Sequence, residues 1–196
     1  MKKGLFTAVI LGLCISLPAC GTEYETPQEG LLNITIASDG KVDAVLVDDF
    51  SKAEYDENEL VAYINKEITA YNSAHSQGAV SLESHEKQGS DMIVGLHFAT
   101  SRDYDGFMPD SLFTGTVQEA YDMGYDLNCA LSYADMPEHV LGKNELMNMA
   151  NSKIVIFEGK GSIRLPKRIK YYTQGMKLTA ADTAEASAEG TYIIIY

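Results

Sequence analysis

The chain has 196 residues with 28 acidic and 15 basic side chains, a net charge of −13, and this balance excludes the broad lysine and arginine surfaces that hold nucleic acid or anionic lipid. Its length suits one domain with one core, or two small lobes packed together. Twelve tyrosines stand beside no tryptophan, and three cysteines are present.

Lys2 and Lys3 precede an apolar run over residues 5–17 that only Thr7, Gly12 and Ser16 interrupt. A membrane-spanning helix needs about 20 apolar residues, so this run reads as a processed export signal. Leu17, Pro18, Ala19 and Cys20 close it and resemble the lipobox of bacterial lipoproteins. The resemblance implies that Cys20 is thioether-linked to a diacylglycerol and becomes the first residue of the mature chain. On that reading residues 1–19 are the signal peptide, residues 20–30 the lipidated N-terminus and a flexible tether, and residues 31–196 the extracytoplasmic domain, whole or as lobes 31–110 and 111–196. Two acyl chains anchor a protein stably where one does not, so the membrane is an expected partner through the lipid on Cys20. Gly21, where an aspartate would retain such a protein in the inner membrane, implies the outer membrane in a host that has two. Processing removes two lysines and no acid, which leaves 28 acidic and 13 basic residues. Cys14 leaves with the signal and Cys20 takes the lipid, so Cys129 has no partner for an intramolecular disulfide.

Glu23, Glu25, Pro27 and Glu29 mark the tether as solvated chain. Leu32, Ile34 and Ile36 alternate with polar or small residues, and Asp39 and Gly40 supply a tight turn before a second strand over 42–47. Asp56 with Glu59 has capping-box spacing, and Leu60, Ile64, Ile68 and Tyr71 then recur at helical period over 57–73. A second hairpin pairs Val80 with Phe98 and Glu86 with Met92, which sets His85 and His97 on one polar face, about 13 Å apart, too far to share a metal ion. Thr116 with Glu119 caps a short helix over 117–123 that Gly124 ends. A weak strand over 127–133, a loop over 137–143, a short helix over 144–150 and strands over 153–157, 162–172 and 191–196 complete the chain. The expected fold class is α+β: mainly antiparallel β hairpins with a long amphipathic helix and short helices packed on the sheet.

Val47, Asp48, Asp49 and Phe50 through Tyr55, Asp56 and Leu60, with residues 112–124, resemble a set of uncharacterised lipoproteins from gut Firmicutes. That resemblance spans most of the mature chain and implies an address and a fold, but no activity.

The candidate chemistry is sparse. Asp103, Asp105 and Gly106 begin a calcium-loop pattern, yet Pro109 and Leu112 fall where ligands are needed, so an acidic solvated loop is expected there and no metal site. Asp48 and Asp49 read as turn residues. Cys129 with His139 lacks a third residue and an oxyanion loop, and a cysteine between Leu127 and Leu131 reads as a small buried hydrophobe. The motifs of the common hydrolases, redox enzymes and phosphate binders are missing, so no catalytic residue and no cofactor is assigned. Tyrosine offers rigid amphipathic surface for carbohydrate or peptide, although Tyr171, Tyr172, Tyr192 and Tyr196 fall in predicted strands where packing alone favours them.

One local feature opposes the overall charge: Arg164, Lys167, Arg168 and Lys170 place four basic residues in seven positions. On a strand, Ile163, Leu165, Ile169 and Tyr171 would face the core and Arg164, Pro166, Arg168 and Lys170 would face water, with Pro166 marking a sheet edge or a bulge. The strip is either a defence of that edge or a site for an anionic envelope ligand such as an acidic polymer or lipid headgroups. The sequence thus points to a lipid-anchored extracytoplasmic protein at the cell envelope, a non-enzymatic binding or spacer module. Its alternatives are an envelope hydrolase with an unrecognised site and a small solute-binding lipoprotein. The expected partners are the membrane and an envelope ligand or protein, with no nucleic acid.

Overall fold

The computed structural model describes residues 32–142, 145–146 and 148–196. Cys20, the signal segment and the tether lie outside the described residues, as do parts of the helix expected over 144–150. Among the described residues no helix is long and apolar enough to cross a membrane.

Two strands with apolar runs form the spine. Strand β8 (Lys153–Arg164) opens with Ile154, Val155, Ile156 and Phe157, and β11 (Thr183–Ile195) closes with Tyr192, Ile193, Ile194 and Ile195. These two runs pair antiparallel, Ile156 opposite Ile193 and Val155 opposite Ile194. Continuous apolar runs belong to strands covered on both faces. Accordingly, Val155, Phe157 and Ile194 join the main core, while Ile154, Ile156, Ile193 and Ile195 build a second cluster on the opposite face.

Around the spine runs one sheet in the order β3 (Val80–Gln88), β4 (Asp91–Phe98), β2 (Val42–Asp49), β1 (Leu32–Ile36), β8, β11, β9 (Tyr171–Thr173), β6 (Leu131–Tyr133), β7 (Val140–Leu141), with β5 (Ser111–Thr116) also paired to β8 and β10 (Lys177–Ala180) to β11. The first hairpin forms as expected: β1 (Leu32–Ile36) and β2 (Val42–Asp49) pair across the Gly40 turn, where a positive φ of 88° suits glycine. Strand β1 then runs parallel to the end of β8, Leu32 opposite Gly161. Helix α1 (Glu57–Ala74) begins where predicted, with the Asp56 carboxylate accepting from the Asn58 and Glu59 amides. Strands β3 (Val80–Gln88) and β4 (Asp91–Phe98) follow, then α2 (Ser101–Phe107), β5 (Ser111–Thr116) and α3 (Val117–Asp122). The Thr116 and Glu119 capping box is present in full. Strands β6 (Leu131–Tyr133), β7 (Val140–Leu141), β9 (Tyr171–Thr173) and β10 (Lys177–Ala180) complete the far end.

The expected α+β domain of hairpins under a long amphipathic helix is therefore corrected. Among the described residues the fold is 45% strand and 20% helix, a large mixed sheet with three short helices. Helix α1 buries only Ile64 and Ile68 fully, and Leu60 and Tyr71 stay part-exposed, so it covers the β3 side of the sheet without organising it. Organisation comes from β8 and β11, because apolar runs that pair with each other need no helix on which to nucleate.

Local expectations are corrected too. The strand expected over 162–172 breaks after Arg164 and resumes at Tyr171, and the strand over 127–133 shrinks to Leu131–Tyr133. Residues 140–141, expected in a loop, pair with β6. Asp48 and Asp49 end β2 instead of forming a turn. The acidic solvated loop is helix α2, capped by Thr100, whose hydroxyl accepts from the Asp103 amide at 3.1 Å. Its Tyr104 packs edge-on against Phe98 at 5.1 Å and is fully buried.

Candidate functional site

The break in the expected strand builds a cleft. Leu165 and Ile169 turn inward, 3% and 1% exposed, and their amides donate to the Asp182 and Ala181 carbonyls at 2.8 Å. These two anchors pin the connection between β8 and β9 to the sheet. Pro166, which has no N–H to donate, sits in this connection, where no ladder requires one. With the apolar residues held inward, Lys167, Arg168 and Lys170 project to solvent.

On the other side, β6 and β9 pair so that Tyr133 stands opposite Tyr171, and the Ala134 amide extends the ladder to the Lys170 carbonyl at 2.8 Å. Asp135 is thereby brought to Arg168, and their side chains form an exposed ion pair. Tyr133, Asp135, Met136, Arg168, Ile169, Lys170 and Tyr171 line a cleft of about 220 Å³. The two tyrosine rings meet at 73° with centroids 4.9 Å apart and form adjoining walls. Partial desolvation, then the Glu145 carboxylate, hold the Tyr133 phenol above its usual range, so it remains a neutral hydroxyl at physiological pH.

Of the four basic residues singled out in the sequence, the structure brings Arg168 and Lys170 together in this cleft and separates the others. Arg164, at the end of β8, pairs with Asp182 at 3.5 Å, and Lys167 stands outside the cleft lining. Lys170 has no ion pair among the described residues. The set is therefore not a uniform strip but two arginines tied to carboxylates with lysines left to solvent.

A second pocket has the opposite character. Pro109, Asp110, Ser111, Glu158, Gly159, Glu189, Gly190 and Thr191 surround about 410 Å³ where β8 and β11 lose register between Ala186 and Gly190. Burial, then the Glu189 charge, push the Asp110 carboxyl above its ordinary value. Nearby, Tyr104 keeps a buried hydroxyl with no hydrogen-bond partner among the described residues.

The remaining candidates are held apart. The register of the β3 and β4 hairpin begins as expected, Val80 opposite Phe98 and Ser81 opposite His97, but shifts between Leu82 and Ser84. His85 then faces Val94 instead of Ile93, on the core side, where it meets Glu57 of α1 at 3.0 Å. His97 stays on the other face and meets Asp43 at 2.6 Å. A one-residue bulge has thus moved one histidine through the sheet. Cys129 is half-buried beside the second apolar cluster, and burial pushes its thiol up. His139 lies 3.8 Å from Glu138 and edge-on to Tyr133. Asp103 and Asp105 accept from Thr100 and Ser111, which commits both carboxylates to local structure.

Sequence reasoning missed Tyr133, Asp135 and Met136 as partners of the basic residues. The only local signal was the tyrosine content, since the pairing of β6 with β9 joins segments far apart in the chain. The chain matches no family model, no curated protein and no solved structure.

Proposed function

We propose that the chain is a lipid-anchored extracytoplasmic protein whose domain binds an envelope ligand in the Tyr133 and Tyr171 cleft. The observation that carries this reading is the cleft itself: two tyrosine walls with Arg168 and Lys170 at the mouth, in a chain whose net charge is −13. Aromatic walls give contact area at small entropic cost, and cations beside them orient an anionic group. The lipobox resemblance at Cys20 supports the address. The one carboxylate of the lining, Asp135, is engaged by Arg168, which suits holding a ligand better than moving a proton.

Met136 reports occupancy whatever the ligand. It lines the cleft and is 44% exposed, while Met123, 61% exposed after α3, serves as reference. On intact cells Met136 is expected to oxidise several-fold more slowly than in the purified chain, with Met123 reacting equally in both. Equal oxidation of Met136 in the two settings contradicts the binding site. Mass spectrometry of the same cells should find acyl chains on Cys20 and none on a Cys20→Ala precursor.

A further inference from the structure

Resting on the reading of the cleft as a binding site, we infer that it takes a single acidic pyranose unit of an envelope glycan, its ring against Tyr171 and its carboxylate on Lys170. Size is the first argument. A volume of about 220 Å³ falls below the roughly 300–1,000 Å³ of pockets that enclose drug-sized ligands, which leaves room for one substituted ring and not for a folded peptide.

Shape is the second. Tyr133 and Tyr171 are directly opposed on neighbouring strands and meet at 73°, so a flat ring placed against one wall has its edge against the other. The apolar C–H face of a pyranose suits such a wall. Its hydroxyls suit the Tyr133 phenol oxygen, whose proton is donated to Glu145 at 3.4 Å, and the Asp135 carboxylate, both residues lining the cleft.

Charge is the third. Arg168 is neutralised by Asp135, so among the described residues the cleft offers one cation without an ion pair, Lys170, flanked by the buried anchor Ile169 and the ring of Tyr171. One cation matches one carboxylate per ring. A densely charged polymer or an anionic bilayer would need several cations, and the acidic remainder of the surface would repel it within a screening length of about 8 Å. An acidic sugar makes its single ion pair inside the cleft and holds the rest of its surface in neutral contacts.

The full-length chain in detergent micelles is titrated calorimetrically with tri-galacturonate, a neutral hexose trisaccharide, a nucleoside monophosphate and vesicles rich in phosphatidylglycerol. Tri-galacturonate is expected to bind about tenfold more tightly than the neutral trisaccharide, the ratio of one charge-assisted hydrogen bond. Lys170→Gln, at an exposed position, should erase that ratio, bringing the acidic sugar down to the affinity of the neutral one. Tyr171→Ala should remove both, and Tyr171→Phe, which keeps the ring, should keep both. Equal affinity for acidic and neutral sugars, tighter binding of the nucleotide or vesicles, or binding of the acidic sugar that ignores Lys170→Gln overturns the ligand class. If Met136 is protected on cells while no probe binds, the ligand class falls and the binding site stands. If Met136 is unprotected and no probe binds, both fall.

Discussion

The Tyr133 cleft and the Asp110 pocket show two ways in which one acidic chain treats its charges. In the pocket, Asp110, Glu158 and Glu189 gather where β8 and β11 slip out of register, and burial, then the Glu189 charge, push the Asp110 carboxyl toward its neutral form. In the cleft, cations collect on a connection pinned by Leu165 and Ile169, and Asp135, the carboxylate among the described lining residues, neutralises one of them. The first arrangement is a by-product of geometry in an acid-rich sequence. The second requires basic residues to be placed against the chain's overall charge, beside aromatic rings, and that is why the cleft and not the larger pocket is read as the binding site.

Breaking the shared framework should abolish the difference between the two. Gly161 lies so close to β1 that an added Cβ would stand 2.3 Å from the Leu32 carbonyl oxygen, a backbone atom that cannot move aside without separating β1 from β8. Gly161→Ala is expected to cost about 3 kcal/mol, measured by urea unfolding, and to weaken both sites together. A variant as stable as the wild type would show that the two halves of the sheet are less tightly joined than the register implies.

A smaller effect separates the two sites by pH. Because folding raises the Asp110 carboxyl above its ordinary value of 3.8, the folded chain binds that proton more tightly than the unfolded chain. Asp110 thus favours folding at low pH, and this contribution is lost as pH rises through the raised value. Asp110→Asn should increase Tm at neutral pH and have little effect near about pH 3, where the wild-type carboxyl is protonated in both states. Arg168→Gln offers the contrast. Its ion pair with Asp135 is exposed on both sides, so its loss should change stability by less than about 1 kcal/mol at any pH. A Tm that falls in Asp110→Asn at neutral pH would show that the carboxylate is satisfied by contacts the geometry does not include.

How far the sequence could be read follows the range of the interactions. The Gly40 turn, the Asp56 cap and the Thr116 capping box each depend on residues within a few positions, and all three stand where the residues placed them. Helix α2 was legible by the same logic in the spacing of Thr100 and Asp103, since the Thr100 hydroxyl accepts from the Asp103 amide. What local pattern could not supply was the partner of each strand. The alternation of Ile163, Leu165, Ile169 and Tyr171 was right for the first three, but the strand breaks before Tyr171, which stays part-exposed while Tyr172 is buried, and Leu165 and Ile169 are anchored by the turn carbonyls of Asp182 and Ala181 and not by a continuing ladder. Likewise the bulge between Leu82 and Ser84 reverses the side on which His85 lies; Gly95, opposite Ser84 on the partner strand, marks the place without fixing the register. The cleft depends on non-local pairing twice, once for β6 on β9 and once for the pinned connection, so its basic half was visible in the sequence and its aromatic half was not.

The most direct test of the account compares the two sites in one experiment. The amides of Lys170 and Tyr171 report on the cleft, and those of Glu189, Gly190 and Thr191 report on the acidic pocket. In an NMR titration of the isotope-labelled full-length chain with tri-galacturonate, the account predicts that the Lys170 and Tyr171 amides shift in a saturable manner while the pocket amides stay in place. Saturable shifts confined to Glu189, Gly190 and Thr191, with the cleft amides unmoved, would contradict it.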